Sequence, residues 1–247
     1  MVVNATGYFS SPYVPRIPGD DSTSIKRLHY AELSEAQKIL ALAGRNGLVL
    51  IVGKRLSAGQ VALELFDAGL RVALSHRSPI RFGVDDWLWP LVYRTFALAE
   101  AVRLRLPGHV PGKLDVPMPG GRVRKLIRSG AIQVFPDVSR FEQDAVVFEG
   151  GTRLRPQVVL YATGFVPSLD YLRTMALEVR PDTGVPLTHN MESLGVPNLF
   201  FLGFEMLRNF QSRFLRGIRN DAVSLADIIE ARAAKRPRHH LRELCIA

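Results

Sequence analysis

Six consecutive residues, Gly53-Lys54-Arg55-Leu56-Ser57-Ala58, have the composition and spacing of a turn that holds a phosphate anion. They follow the apolar run Leu48-Val49-Leu50-Ile51-Val52 and precede a segment of helical period, with Val61, Leu63, Leu65 and Phe66 on its apolar face. A helix N-terminus leaves backbone N–H groups without intrahelical partners, and its dipole favours negative charge there. The stretch departs from the dinucleotide fingerprint G-x-G-x-x-G in one place. The first Gly is present, the third position carries the tolerated Ala58, and Arg55 stands where the second Gly would be. Arg55 either adds positive charge for a pyrophosphate or blocks its approach, and Ser57 offers a hydroxyl donor. The competing reading is an α/β crossover whose nucleotide site has been lost.

The end of the next apolar run, Arg71-Val72-Ala73-Leu74, bears on the choice. An NAD site places an acid about 20 residues after the glycines to hold the ribose 2′-OH. Here the sequence is Ser75-His76-Arg77-Ser78, with no acid and one arginine. A guanidinium matches phosphate geometry, so Arg77 and Ser78 point to the 2′-phosphate of NADP(H) rather than to NAD(H). The alternative is a solvated loop arginine in a basic chain.

These residues need elements to position them. Leu48–Val52 predicts a strand buried on both faces, as in a parallel sheet. The period then changes to helical from Ser57, Gly69 stops the helix, and a second strand follows. This strand-turn-helix-strand unit predicts an α/β fold with a Rossmann-like NAD(P)-binding domain. Upstream, Ser34-Glu35-Ala36-Gln37 has capping-box spacing and predicts a helix to about Ala43. Downstream, a basic helix is expected over Arg122–Ser129, and strands over Ile132–Phe135, Val146–Phe148 and Thr152–Leu154. Amphipathic helices are expected within 87–106. Val158-Val159-Leu160-Tyr161-Ala162-Thr163-Gly164 repeats the pattern of Val2-Val3-Asn4-Ala5-Thr6-Gly7. Both read as strands ending in small residues that let backbone pass close to a cofactor. Thr6, Gly7, Ala162, Thr163 and Gly164 are therefore candidate cofactor contacts. Pro197–Gly203 reads as another buried strand ending on Gly203, and 210–229 as a long helix with Ala222, Leu225, Ala226 and Ile229 on one face. The basic tail from Ala231 is expected to be solvated.

Composition narrows the function classes. With 247 residues, 47% apolar and 22% charged, the chain is sized for one large or two small globular domains. No apolar run reaches membrane-spanning length, and the N-terminus lacks a signal-peptide pattern. One cysteine, Cys245, excludes an internal disulfide and a cysteine metal site, and points to a reducing, cytoplasmic compartment. The net charge of +9 comes from dispersed arginines without aromatic interleaving, which fits an anionic cofactor better than nucleic acid.

Taken together, the motifs resemble the flavin-containing monooxygenases, the NADPH-dependent class related to Baeyer–Villiger and N-hydroxylating enzymes. Ala5-Thr6-Gly7 with Tyr8-Phe9-Ser10 and Pro15–Gly19 is similar to the segment leaving the FAD domain. His29 stands at the His of the F-x-G-x-x-x-H signature, with Thr23 and Ile25 replacing its Phe and Gly. Gly53, Ser57, Ala58 and Gln60 match the NADPH fingerprint, and Arg77-Ser78 its 2′-phosphate loop. Tyr161–Pro167 resembles the second Ala-Thr-Gly motif, and Leu199–Gly203 with Leu215–Ala222 the closing FAD segment. The resemblance covers residues 1 to about 230. It implies an NADPH-binding domain over 36–157 between FAD-domain parts at 1–35 and 158–230, with a basic tail over 231–247. It implies FAD and NADP(H) as cofactors: NADPH reduces FAD, and the reduced flavin activates O₂ to oxygenate a small organic substrate. The family's N-terminal FAD-binding βαβ unit has no counterpart here. The expectation is therefore an incomplete FAD site, and strand ends at Gly7, Gly164 and Gly203 lacking sheet neighbours and prone to self-association. A second functional reading follows from this: a non-catalytic NADP-binding remnant that needs a separate FAD half.

Overall fold

The computed structural model describes residues 1–32, 36–85, 88, 90–91, 116–209 and 211–235. In chain order its elements begin with β1 (Val2–Asn4), β2 (Ser11–Pro12), β3 (Lys26–His29), α1 (Ala36–Ala43), β4 (Leu48–Val52), α2 (Leu56–Asp67) and β5 (Arg71–Ser75). Then come α3 (Gly121–Arg128), β6 (Ile132–Phe135), β7 (Val138–Phe141), β8 (Val146–Phe148), β9 (Arg153–Leu154), β10 (Val158–Tyr161) and β11 (Phe165–Val166). Last are β12 (Thr188–His189), β13 (Glu192–Ser193), β14 (Leu199–Phe201) and α4 (Leu215–Lys235). The expected helices within 87–106, Ser34 and Glu35 of the capping box, and the tail beyond Lys235 lie outside the described residues.

The chain divides into two compact units, one formed by residues 12–165 and the other by the segments on either side. The middle unit holds a five-stranded sheet in the order β3-β10-β4-β5-β6, parallel throughout. All five residues of β4 are buried because the sheet is covered on both faces. Alternate residues serve different cores. Val49, Ile51, Val158 and Leu160 pack against Ile39 of α1, Ala58, Ala62 and Leu65 of α2, and Val123 of α3. Leu50, Val52, Val159 and Tyr161 face the antiparallel sheet β7-β8-β9, through Val138, Phe141, Val146 and Phe148. The buried stripe of α2 is Ala58, Gly59, Ala62 and Leu65, so the expected face is shifted: Val61, Leu63 and Phe66 lie at its margins. Small residues occupy the stripe because α2 lies close to its neighbours; a Cβ on Gly59 would come within 2.6 Å of both Met118 and Pro119.

The boundaries of this unit differ from those read off the sequence. β3 and β10 fall inside it, because both hydrogen-bond into the central sheet, Val159 pairing with Arg27 on one side and Leu50 on the other. The strand ending near Gly164 therefore has neighbours on both sides, contrary to expectation.

The flanking unit holds the sheet β1-β14-β13-β12, with β1 parallel to β14. Its core gathers Phe200, Phe201, Phe204, Met191 and Leu225. β14 has partners on both sides, so the strand ending at Gly203 is not an edge. β1 is one, and its Val2 and Val3 are exposed rather than buried. The C-terminal helix starts and ends later than expected. It runs into the basic segment as far as Lys235, and Ala226 of the expected apolar face is exposed.

Candidate dinucleotide-binding sites

In the middle unit, chain order runs outward from β4 through β5 to β6, then returns to β10 on the other side of β4. In an open parallel sheet, ligands bind beyond the carboxyl ends of the strands at such a reversal. The turn after β4 and the Ala162-Thr163-Gly164 segment after β10 meet there. Gly53 donates its N–H to the Ser75 carbonyl at 3.0 Å, and Ala162 donates to the Val52 carbonyl at 2.9 Å. A Cβ at Gly53 would stand 2.6 Å from the Ala162 carbonyl oxygen, so only glycine lets the two turns approach this closely.

Arg55 is the N-cap of α2, with φ −109° and ψ −169°, and its side chain makes no capping hydrogen bond. The first intrahelical donor is Gly59, bonded to the Arg55 carbonyl at 3.1 Å. The preceding N–H groups of Leu56, Ser57 and Ala58 belong to the first turn, where a helix receives an anion. Extended backbone at Arg55 places no demand for glycine at that position. The loop after β5 joins this group: Lys54 Nζ donates to Ser78 Oγ at 2.5 Å. Arg77, one residue earlier, is exposed. Thr163 donates its hydroxyl to the Tyr13 carbonyl, and Tyr13 donates its N–H to Gly164 at 2.9 Å, which fixes the Ala-Thr-Gly turn. The structure thus brings together Gly53, Lys54, Arg55, Leu56, Ser57, Ala58, Ala162, Thr163, Gly164, Arg77 and Ser78 at one edge of one sheet. The residue types fit a dinucleotide phosphate: backbone donors, two arginines, a lysine and three hydroxyls, with no carboxylate among them.

Thr6, Gly7 and Gly203 belong to the other unit and line a cleft of about 310 Å³ there, with Tyr8, Arg213 and Phe214. Gly7 and Gly203 both adopt positive φ, 76° and 82°, and a Cβ on Gly203 would meet the Gly7 Cα at 3.3 Å. Asn4 anchors the turn: its side-chain oxygen accepts the Thr6 N–H at 3.1 Å and the Thr6 hydroxyl at 2.9 Å. Arg213 is nearly buried, pairs with Glu205 at 3.0 Å, and lies over the rings of Phe214 and Tyr8. Two glycines that add no side chain, beside the Arg213–Glu205 pair and aromatic rings, leave a cleft that fits the flat, polar-edged ring system of a flavin. Sequence reasoning missed Arg213. Its neighbours Ser212 and Phe214 form no recognisable motif, and one arginine carries no spacing signal among 32 lysines and arginines.

His29 ends β3 beside Tyr161, in register across the strands. It is 1% exposed. Burial lowers its pKa below the ordinary imidazole value, while the Gly164 backbone and the Glu32 carboxylate act the other way. In the flanking unit, burial raises the Asp221 carboxyl above the usual range, opposed by Ser212 and Arg208.

A family model for pyridine nucleotide-disulphide oxidoreductases matches residues 1–103. An uncharacterized CzcO-like oxidoreductase of Geobacillus kaustophilus is 25% identical over 92% of the chain and 64% of its own length. An indole-3-pyruvate monooxygenase, YUCCA4 of Oryza sativa, is 25% identical over 93% of the chain and 56% of its own length. The chain therefore spans less than two thirds of these relatives. Among solved structures, a flavin-containing monooxygenase from Stenotrophomonas maltophilia superposes with a TM-score of 0.68 at 21% identity, over 94% of this chain and 62% of that one. That structure supports the FAD/NAD(P)-binding Rossmann-type fold. The sequence matches, read with the order of the motifs, show likeness to flavin-containing monooxygenases and to pyridine-nucleotide oxidoreductases.

Proposed function

We propose that the chain binds NADP(H) at the carboxyl edge of its five-stranded sheet and contacts FAD through the Gly7–Gly203 cleft, as part of a flavin-dependent monooxygenase acting on a small organic substrate. The observation that carries this reading is the Lys54–Ser78 hydrogen bond beside Arg77. It joins the phosphate turn to the loop where a 2′-phosphate would lie, and no acid stands in that loop to favour a free 2′-hydroxyl. When bound, NADPH supplies hydride to the flavin, and the reduced flavin supplies the electrons for oxygen activation. The protein's part is to bind and orient. The α2 N-terminus and Arg55 hold the pyrophosphate, Lys54, Arg77 and Ser78 hold the 2′-phosphate, and Arg213 places positive charge at the flavin cleft.

Titration with NADPH and NADH tests the assignment. Arg77→Ala should weaken NADPH binding by about 1.5–3 kcal/mol, the range for a hydrogen bond to a charged group, and leave NADH almost unchanged. Equal affinity of the unaltered protein for both nucleotides would sink it. Supplying FAD and following NADPH oxidation addresses the catalytic half. NADPH binding without oxidation would favour a nucleotide-binding module that turns nothing over by itself.

A further inference from the structure

A second cavity lies in the middle unit, away from the phosphate turn. It measures about 420 Å³ and runs along the edge strand β3, lined by Val14, Ser24, Ile25, Lys26, Arg27, Leu28, His29, Glu32 and Tyr161. Tyr161 and Ile25 belong to the core on the β7-β8-β9 face of the sheet, whereas α2 packs on the opposite face.

Two of its residues are buried polar groups left without partners. Tyr161 and His29 are each 1% exposed, and neither the Tyr161 hydroxyl nor His29 Nε2 makes a hydrogen bond. Buried polar atoms of this kind are rare and costly. The chemistry of each is fixed by its surroundings. His29 Nδ1 accepts the Ala31 N–H at 3.2 Å. In the neutral imidazole, which burial favours, the hydrogen must then sit on Nε2. The Gly164 backbone acts on the imidazole in the direction of a higher pKa, although Nε2 makes no hydrogen bond of full geometry. Burial likewise favours the protonated Tyr161 phenol, while the Arg27 guanidinium, near enough to act on the phenol oxygen, works the other way. Arg27 itself is held loosely, 3.7 Å from Asp20 and over the Phe141 ring. The residues lining the cavity therefore carry a buried unused N–H, a buried unused O–H and a guanidinium. Its charged lining residues are Lys26, Arg27 and Glu32, one net positive charge.

We infer that this cavity is a binding site for a small monocarboxylate with a short apolar body. The carboxylate oxygens would accept from Tyr161, His29 and Arg27, a planar acceptor matched to a guanidinium fork. Val14, Ile25 and Leu28 would cover the hydrocarbon part. A dianionic phosphate suits the site less well, because only one net charge faces it.

Hexanoate is the probe, with hexanol as the uncharged control, in calorimetric titrations of the full chain. Saturable hexanoate binding is expected, with no heat of binding for hexanol. Tyr161→Phe removes one oxygen and keeps the ring, and should weaken hexanoate binding about tenfold. Arg27→Gln should weaken it at least as much. Tyr161→Phe should leave the thermal unfolding midpoint close to the parent's, since the hydroxyl it removes donates to no protein acceptor. NADPH titration of the same variants should be unchanged, which separates this site from the phosphate turn. No hexanoate binding by the unaltered protein, equal binding of hexanol, or unaltered affinity in both variants would overturn the inference.

Discussion

Gly53 carries more of the site than a turn residue ordinarily does. A methyl group there would stand 2.6 Å from the Ala162 carbonyl oxygen and 3.1 Å from the Ala162 Cβ. Neither neighbour is the end of a flexible side chain, so backbone would have to move. Gly53→Ala should destabilise the protein by about 1–3 kcal/mol, the usual cost of overpacking, lowering the urea midpoint with an unchanged slope. It should also displace Ala162-Thr163-Gly164 and weaken NADPH binding. An alanine variant as stable as the parent would show that the spacing of the two turns is not fixed by this contact. The sequence marked both turns as candidate cofactor contacts from their small residues, but nothing in it joined them. That juxtaposition comes from the β4–β10 pairing, a contact over a hundred residues long in sequence. Arg213, and the unused donors of His29 and Tyr161, were illegible for a related reason: burial and missing partners are tertiary properties.

At the scale of elements, legibility followed burial. β4 and β8 have the bounds expected from the sequence, because continuous apolar runs mark strands covered on both faces; β6 also has its expected bounds, although it is an edge strand in which only Ile132 is buried. β3 carries no strand signal, since an edge strand with the sequence Lys26-Arg27-Leu28-His29 buries only its last residue. β7 escaped notice because Ser139 and Arg140 interrupt its apolar ends. α2 is the element on which function turns, and Arg55 tests it. Glycine at an N-cap costs a helix only a few tenths of a kcal/mol, so Arg55→Gly should fold normally. The expected outcome is weaker NADPH binding with a shallower salt dependence, as one cationic contact is lost. Tighter binding by the glycine variant would instead identify Arg55 as an obstruction.

Over the whole molecule, the two units hold buried ionisable groups that respond to acid in opposite directions. His29 has its pKa lowered in the folded protein, chiefly by burial. The unfolded chain therefore binds a proton more readily, at about pH 6.5. Its contribution to stability is complete above that pH and is lost as the pH falls from 6.5 toward the folded value. Asp221 has its pKa raised by burial. Here the folded state holds the proton more tightly, so stability is gained as the pH falls through the folded value toward the ordinary carboxyl range. The other titrating groups of this +9 chain add a background of their own, and single variants subtract it. His29→Phe keeps an aromatic ring against Tyr30 and Phe165 but loses the acceptor for the Ala31 N–H. It should be less stable at pH 7.5, and the deficit should shrink as the pH is lowered toward 5.5. Asp221→Asn should behave in the reverse sense, with its greatest relative stability at neutral pH, where the aspartate is charged in a buried place, and its advantage fading in acid. Thermal unfolding midpoints of the three proteins across pH 4.5–7.5 read both effects. Midpoint curves that stay parallel to the parent's would mean that neither group titrates in a buried environment, and would remove the assignment of His29 Nε2–H as a fixed donor in the β3 cavity.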